Sequence, residues 1–143
     1  MYHTCVLHLL VLIFVIQVPL PFVHGELLQK HLRFPEVALN EGNDYDPSTG
    51  VFTCRVPGTY WFSAALAKVQ TSPDNVECII MVNDGHTDNI LMRSANNGVG
   101  SAAFLLKKGD LVRVGRCHNQ DKLVTAQPAT HTYFSGVLIR PNA

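Results

Sequence analysis

The chain has 143 residues, long enough for one domain with a sizeable core and short for two. Its 47% hydrophobic and 15% charged residues fit a globular fold and exclude a disordered one. Eleven basic side chains balance eleven acidic ones, so there is no basic excess to neutralise phosphates and no support for nucleic-acid binding.

The N-terminal stretch is apolar from Val6 to Ile16, interrupted only by His8, and is followed by Pro19, Pro21 and Val23-His24-Gly25. An apolar run of about 7–15 residues, a breaker and a small-residue site form the pattern of a secretory leader. A membrane span needs roughly 20 apolar residues, so no span is expected. The reading is a signal peptide over 1–25, a folded domain over 26–143, and a secreted, extracellular product. Cys5 leaves with the leader; Cys54, Cys78 and Cys117 remain, an odd number that allows one intrachain pair.

Downstream, short strand patterns alternate with turns. Val51–Val56 carries β-branched and aromatic residues between Tyr45–Gly50 and Val56-Pro57-Gly58, both turn clusters. Thr59–Val69 opens with Tyr60, Phe62 and Ala64 on one side and Trp61, Ser63 and Ala65 on the other. Val76–Val82 is a strand ended by Asn83-Asp84-Gly85. Thr87–Asn97 is polar and mixed, and is read as a loop. Gly100–Leu106, Leu111–Cys117 and Tyr133–Ile139 complete the set, with a turn at Lys107–Asp110. Six or more strands without a helix predict an all-β antiparallel sandwich or jelly roll. No Gly-X-Y period or heptad run is present, so the sequence shows no collagen or coiled-coil stalk.

Three blocks, Phe34–Phe62, Leu106–Val114 and Phe134–Ile139, carry a family pattern in their order and spacing. Phe34, Asn40, Tyr45, Phe52, Gly58, Tyr60, Phe62, Phe134 and Gly136 are its marker positions. Together they resemble the globular head domain of complement C1q, in the head-only form. The resemblance implies a ten-strand jelly roll of the tumour-necrosis-factor type that packs as a homotrimer. It also implies a first strand upstream of Phe34. Glu26–His31 is poor in strand formers, so that strand is expected to be missing or shortened, or supplied by Pro21-Phe22-Val23. The aromatic markers read as core and the glycines as turn formers, so the markers identify a scaffold and leave function to the loops.

Asp44-Tyr45-Asp46 lacks the glycine and the twelfth-position acid of an EF-hand loop and is read as an Asx turn. Asp88, Asn89 and Asn96 fall, by the resemblance, where calcium-binding heads keep their ligands, and their oxygens are the hard donors calcium takes. Asp84, His86, Asn97 and Arg113 are the candidate ligand contacts, an arginine fork suiting a carboxylated ligand. Cys78 and Cys117 stand, again by the resemblance, at adjoining ends of neighbouring strands, where a disulfide is possible. Scattered histidines lack zinc-ligand spacing, and no nucleophile elbow, P-loop or His-Glu-x-x-His occurs, so no enzyme is expected. Calcium is the one cofactor considered. The functional expectation is a secreted trimer recognising glycans or charged microbial or host surfaces in innate immunity. Two alternatives stay open: a signalling ligand for a protein receptor, of the adipokine or synaptic-organiser kind, and a calcium-linked matrix protein.

Overall fold

The computed structural model describes residues 14–17, 32–34, 36–67, 71, 73–83, 88–94, 98–119 and 132–142. Ten strands form two five-stranded sheets. One sheet has the order β2 (Glu36–Asn40), β1 (Phe14–Gln17), β10 (Tyr133–Pro141), β5 (Gly58–Leu66), β8 (Gly98–Leu106). The other runs β3 (Tyr45–Asp46), β4 (Val51–Thr53), β9 (Leu111–His118), β6 (Val76–Val82), β7 (Asp88–Ser94). All pairings are antiparallel. The only helical turn among the described residues is a 3-10 turn at Glu41–Asn43.

Side-chain alternation puts one row of each sheet inward. On β5, Tyr60, Phe62 and Ala64 are fully buried while Trp61 between them is exposed. Phe134 and Leu138 on β10, Phe104 and Leu106 on β8, and Phe52, Val112, Val114 and Ile80 on the facing sheet close the core. The rings form a continuous chain. Phe62 stacks on Phe134 at 5.8 Å and meets Phe52 of the opposite sheet edge-on at 5.4 Å. Phe134 also contacts Phe34 at 5.8 Å and Tyr45 at 6.3 Å. Gly136 lies directly opposite Phe62 in the ladder and offers no side chain there, and the Phe62 ring packs on the diagonal neighbour Phe134.

The marker residues outside the core fix turns. Asn40 acts as a stand-in peptide for Tyr45: its Nδ2 donates to the Tyr45 carbonyl at 2.8 Å and its Oδ1 accepts the Tyr45 N–H at 3.2 Å. Asp46 closes the next turn, its Oδ1 accepting from Ser48 N–H at 2.9 Å and Ser48 Oγ at 2.6 Å. Those bonds hold its carboxyl below the usual range. Gly50, at φ +80°, follows; a Cβ there would drive into the Leu32 carbonyl oxygen, so a side chain is refused on two grounds.

Two expectations need correction. Thr87–Asn97 is largely strand: β7 spans Asp88–Ser94 and pairs with β6 from Val76 to Met81. The backbone ladder overrode a polar composition. The strand sought upstream of Phe34 is Phe14–Gln17, four residues long and lying between β2 and β10; Pro21, Phe22 and Val23 lie outside the described residues.

Cys78 and Cys117 are joined by a disulfide, with Cα atoms 4.1 Å apart and 39 positions between them in sequence. The register jumps from Glu77↔His118 to Ile79↔Gly115, so Arg116 and Cys117 together oppose Cys78 in a bulge, with Arg116 at φ 47°. Cys54 is buried and unpaired, and burial pushes its thiol up, away from reactivity.

Closing a loop of this length removes unfolded-state entropy worth roughly 4 kcal/mol. The C78A/C117A double variant is therefore expected to lose about that much stability, read as a lower urea midpoint; an unshifted midpoint would show the ladder needs no bridge. A second expectation concerns alkali. Tyr45 and Tyr60 are buried, and burial raises both phenols above their ordinary value. Their contribution is whole below the unfolded pKa of about 10 and is lost as pH rises from there through the raised folded values. Stability should fall by up to about 1.4 kcal/mol per pH unit for each buried phenol above that point. Urea titrations between pH 8 and pH 11 measure it, and Y45F should flatten the slope.

Candidate functional site

The strand ladders sort the connections onto two ends of the sandwich. At one end β5 leaves through 67–75, β7 passes to β8 through 95–97, and β9 passes to β10 through 119–132. The pairs Leu66↔Gly98, Val76↔Ser94 and Glu77↔His118 put these three connections side by side. At the other end lie short turns: 54–57, 83–87 and 107–110, next to the C-terminal strand end Pro141↔Gly58.

The short-turn end is held rigidly. Asn83 adopts φ 57° and donates its N–H to the Leu111 carbonyl at 2.7 Å, while its Oδ1 accepts the Leu111 N–H at 2.9 Å. Its Nδ2 donates to Asp110 Oδ1 at 3.1 Å. Asp110 Oδ2 accepts the Lys107 N–H at 2.8 Å, its carbonyl accepts the Cys54 N–H at 2.7 Å, and Gly109 N–H donates to the Cys54 carbonyl at 2.7 Å. Arg113 Nη2 donates to the Asn83 carbonyl at 2.9 Å, so this arginine braces the same turn. Asp44, nearly buried, pairs with exposed Arg55 at 3.0 Å nearby. The polar groups of this end are largely consumed by one another.

The other end is braced at the bases of its connections. The disulfide ties β6 to β9 just beneath it. Asn119, at φ 55°, donates through Nδ2 to the Asn75 carbonyl at 2.8 Å, linking two of the three connections. Thr132, the one buried polar residue among those described, accepts the Ala67 N–H at 3.1 Å. Arg116 and His118 are exposed at its rim. Fourteen residues, 119–132, join β9 to β10 here, well beyond the usual strand connection, and long connections of this kind are commonly functional.

This geometry divides the sequence candidates. Asp88 and Asn89 open β7 beside the Asn83 turn, and Asp88 pairs with Met81. Asn96 follows the far end of β7, and a seven-residue strand extends about 20 Å. Asp84, His86, Asn96 and Asn97 lie outside the described residues. Among the described residues no group of acids, histidines or cysteines has metal-binding geometry. The sequence reading missed Asn75, Asn119 and Thr132, while Arg116 was among the arginines it considered for a carboxylated ligand. The usable signal was the length of the polar stretch between Cys117 and Tyr133, which has no strand pattern.

Comparison with known proteins gives a consistent result. The family model described as C1q domain matches residues 20–139. A bovine relative, Protein HP-25 homolog 1, is 31% identical over 112 residues, covering 76% of this chain and 50% of that protein. The mouse Collagen alpha-1(X) chain is 29% identical over 114 residues, covering 77% of this chain and 16% of that protein. The chain therefore spans half or less of the length of these relatives. Among solved structures, the globular domain of zebrafish complement 1qA superimposes with a TM-score of 0.61 at 21% identity, over 91% of this chain and 98% of that one. Murine APRIL superimposes at 0.67 with 10% identity, over 90% and 99%, which shows the shared fold. The two-sheet jelly roll, its marker residues and these matches agree: the chain belongs to the C1q domain family.

Proposed function

We propose that this chain is a secreted recognition module that assembles as a homotrimer and binds glycans or charged microbial or host surfaces in innate defence. The observation that carries the assembly is the outer face of the β2-β1-β10-β5-β8 sheet. Thr59, Trp61, Ser63 and Ala65 on β5, Val99, Ser101, Ala103 and Leu105 on β8, and Tyr133, Ser135 and Val137 on β10 alternate with the core rows, and none of these eleven is charged. Trp61 is 42% exposed, Val99 61% and Leu105 70%, with Ile139 and Leu39 exposed at the margins. Arg140, opposite Thr59 in the ladder, adds a single charge at the margin of this row. A face with so little charge, carrying exposed Trp61, Val99 and Leu105, is what association covers. Copies of the same chain are the fitting occupant, since a trimer repeats one contact three times and closes on itself.

Trimerisation would set three loop-rich ends in one assembly, and multivalent binding raises the avidity of weak individual sites. The ligand contact is assigned to the loop-rich end, where Arg116 and His118 stand at the rim, in preference to Arg113, which is engaged with the Asn83 turn. A calcium contribution is assigned to the other end, where Asp84 follows Asn83 in sequence and Asp88 and Asn89 open β7. The chain is read as a binding protein without catalytic activity.

Light scattering of the wild type is expected to give a three-chain mass, and W61E, placing a carboxylate on the apolar face, a single-chain mass. A wild type that is monomeric at micromolar concentration would sink the assembly. Ligand recognition is read from glycan and bacterial-surface binding with and without a calcium chelator. Retained binding by the wild type and about a hundredfold weakening in W61E through lost avidity is the expected result. Silence on every glycan together with tight binding to a cell-surface protein would replace this reading with a signalling one.

A further inference from the structure

The apolar run Val6–Ile16 and the first strand of the fold overlap: Phe14, Val15 and Ile16 belong to both. A leader needs only bulk hydrophobicity. A strand needs a register, and this one has it on both sides. Against β10 the pairs are Phe14↔Gly136, Val15↔Ser135, Ile16↔Phe134 and Gln17↔Tyr133; against β2 they are Phe14↔Asn40, Val15↔Leu39, Ile16↔Val37 and Gln17↔Glu36. Ile16 is the register partner of buried Phe134 on one side and of core-packed Val37 on the other, and the ladder to β2 takes up one extra residue between Val15 and Ile16.

The strand is interior, and its loss would reach further than its four residues. Among the described residues β2 has β1 as its only partner in the sheet, so removing β1 takes away that ladder and leaves β10 unpaired on that side from Tyr133 to Gly136. β2 ends at Asn40, whose amide holds the backbone of Tyr45 by two hydrogen bonds. Tyr45 in turn bonds the Phe34 N–H at 3.2 Å and packs on Phe134. Unpaired sheet edges are also sites of aggregation.

We infer that Phe14–Gln17 is a permanent strand of the folded domain, so that the chain that folds keeps these residues and is not one cut after Gly25. The inference stands apart from the ligand reading, because it concerns only which residues the folded chain retains. It also gives the N-terminal segment a second task, completing the sheet whose outer face carries Trp61.

The test is the intact mass of the full chain expressed through a secretory cell and purified folded, followed by hydrogen exchange of the peptide spanning residues 14–17. Expected are a mass that includes Phe14–Gln17 and slow exchange at those amides. A folded, monodisperse product beginning at Glu26 would overturn the inference, and so would a retained but freely exchanging segment. V15P and V11P disturb the apolar run alike, but V15P falls inside the four-residue ladder Phe14–Gln17 and V11P outside it; V15P should lower the melting temperature by about 10 °C relative to V11P. Equal melting temperatures would overturn the inference as well. Should neither variant accumulate, the mass and exchange of the unchanged chain decide alone.

Discussion

The stack of Phe62 on Phe134, with Phe52 edge-on across the sandwich, is the contact on which the remainder of this structure depends. Phe62 and Phe134 lie on adjacent strands of one sheet and Phe52 on the other, so a single cluster sets both the register of β5 against β10 and the spacing of the two sheets. Each buried ring contributes a few kcal/mol from area alone, and each favourable ring pair adds about 0.5–1.5 kcal/mol. Hydrogen bonds of the ladder replace bonds to water and net about 1 kcal/mol apiece, with little preference between registers. Register is therefore decided by the rings. A one-residue slip of β5 would turn Trp61 inward and put Tyr60 and Phe62 into water.

With the core fixed in this way, the two ends of the sandwich are free to differ. One is tied by short turns whose polar groups satisfy each other: Asn83, Asp110 and Arg113 leave little capacity for an outside partner. The other carries longer connections and is stabilised by a covalent bridge set back from the rim, together with the Asn119–Asn75 and Thr132–Ala67 bonds. A disulfide at that position restrains the strands without occupying loop side chains. The stabilising bonds thus sit on the strands and at the bases of these connections, which lets the connections vary at small cost to the fold.

The sequence disclosed much of this and hid particular parts for physical reasons. Tyr60, Trp61 and Phe62 alternate visibly, and Gly50, Gly58 and Gly109 mark real turns, so β5, β6, β8, β9 and β10 were legible from period and punctuation. β7 was not, because Asp88-Asn89 and Arg93-Ser94 give it a loop-like composition, and only pairing with β6 makes it a strand. β1 was concealed by an opposite fault: its neighbourhood is so apolar that the leader pattern absorbed it. Asp88, Asn89 and Asn96 were read as candidate ligands from the family resemblance; the first two open a strand, and Asn96 lies outside the described residues. The arginine at 113 read as a free cation, and nothing local announced that its partner would be a carbonyl thirty residues away.

Charge distribution carries the last step. Eleven positive and eleven negative groups cancel in sum, and a neutral total alone says little about partners. Their placement says more. The outward row of β5, β8 and β10 holds one charge, Arg140 opposite Thr59 at its margin, while Lys107, Lys108, Asp110, Asp44 and Arg55 crowd the short-turn end and Glu77 and Arg116 stand at the loop-rich end. Charge is thus sparse on this face and concentrated at the ends of the sandwich. A charge on that face would be desolvated on association and would oppose it by several kcal/mol, whereas the same charge at a solvated rim costs almost nothing. The sparsely charged face and the charged ends are therefore two sides of one constraint: the association proposed for that face requires that charge be placed where water can keep solvating it.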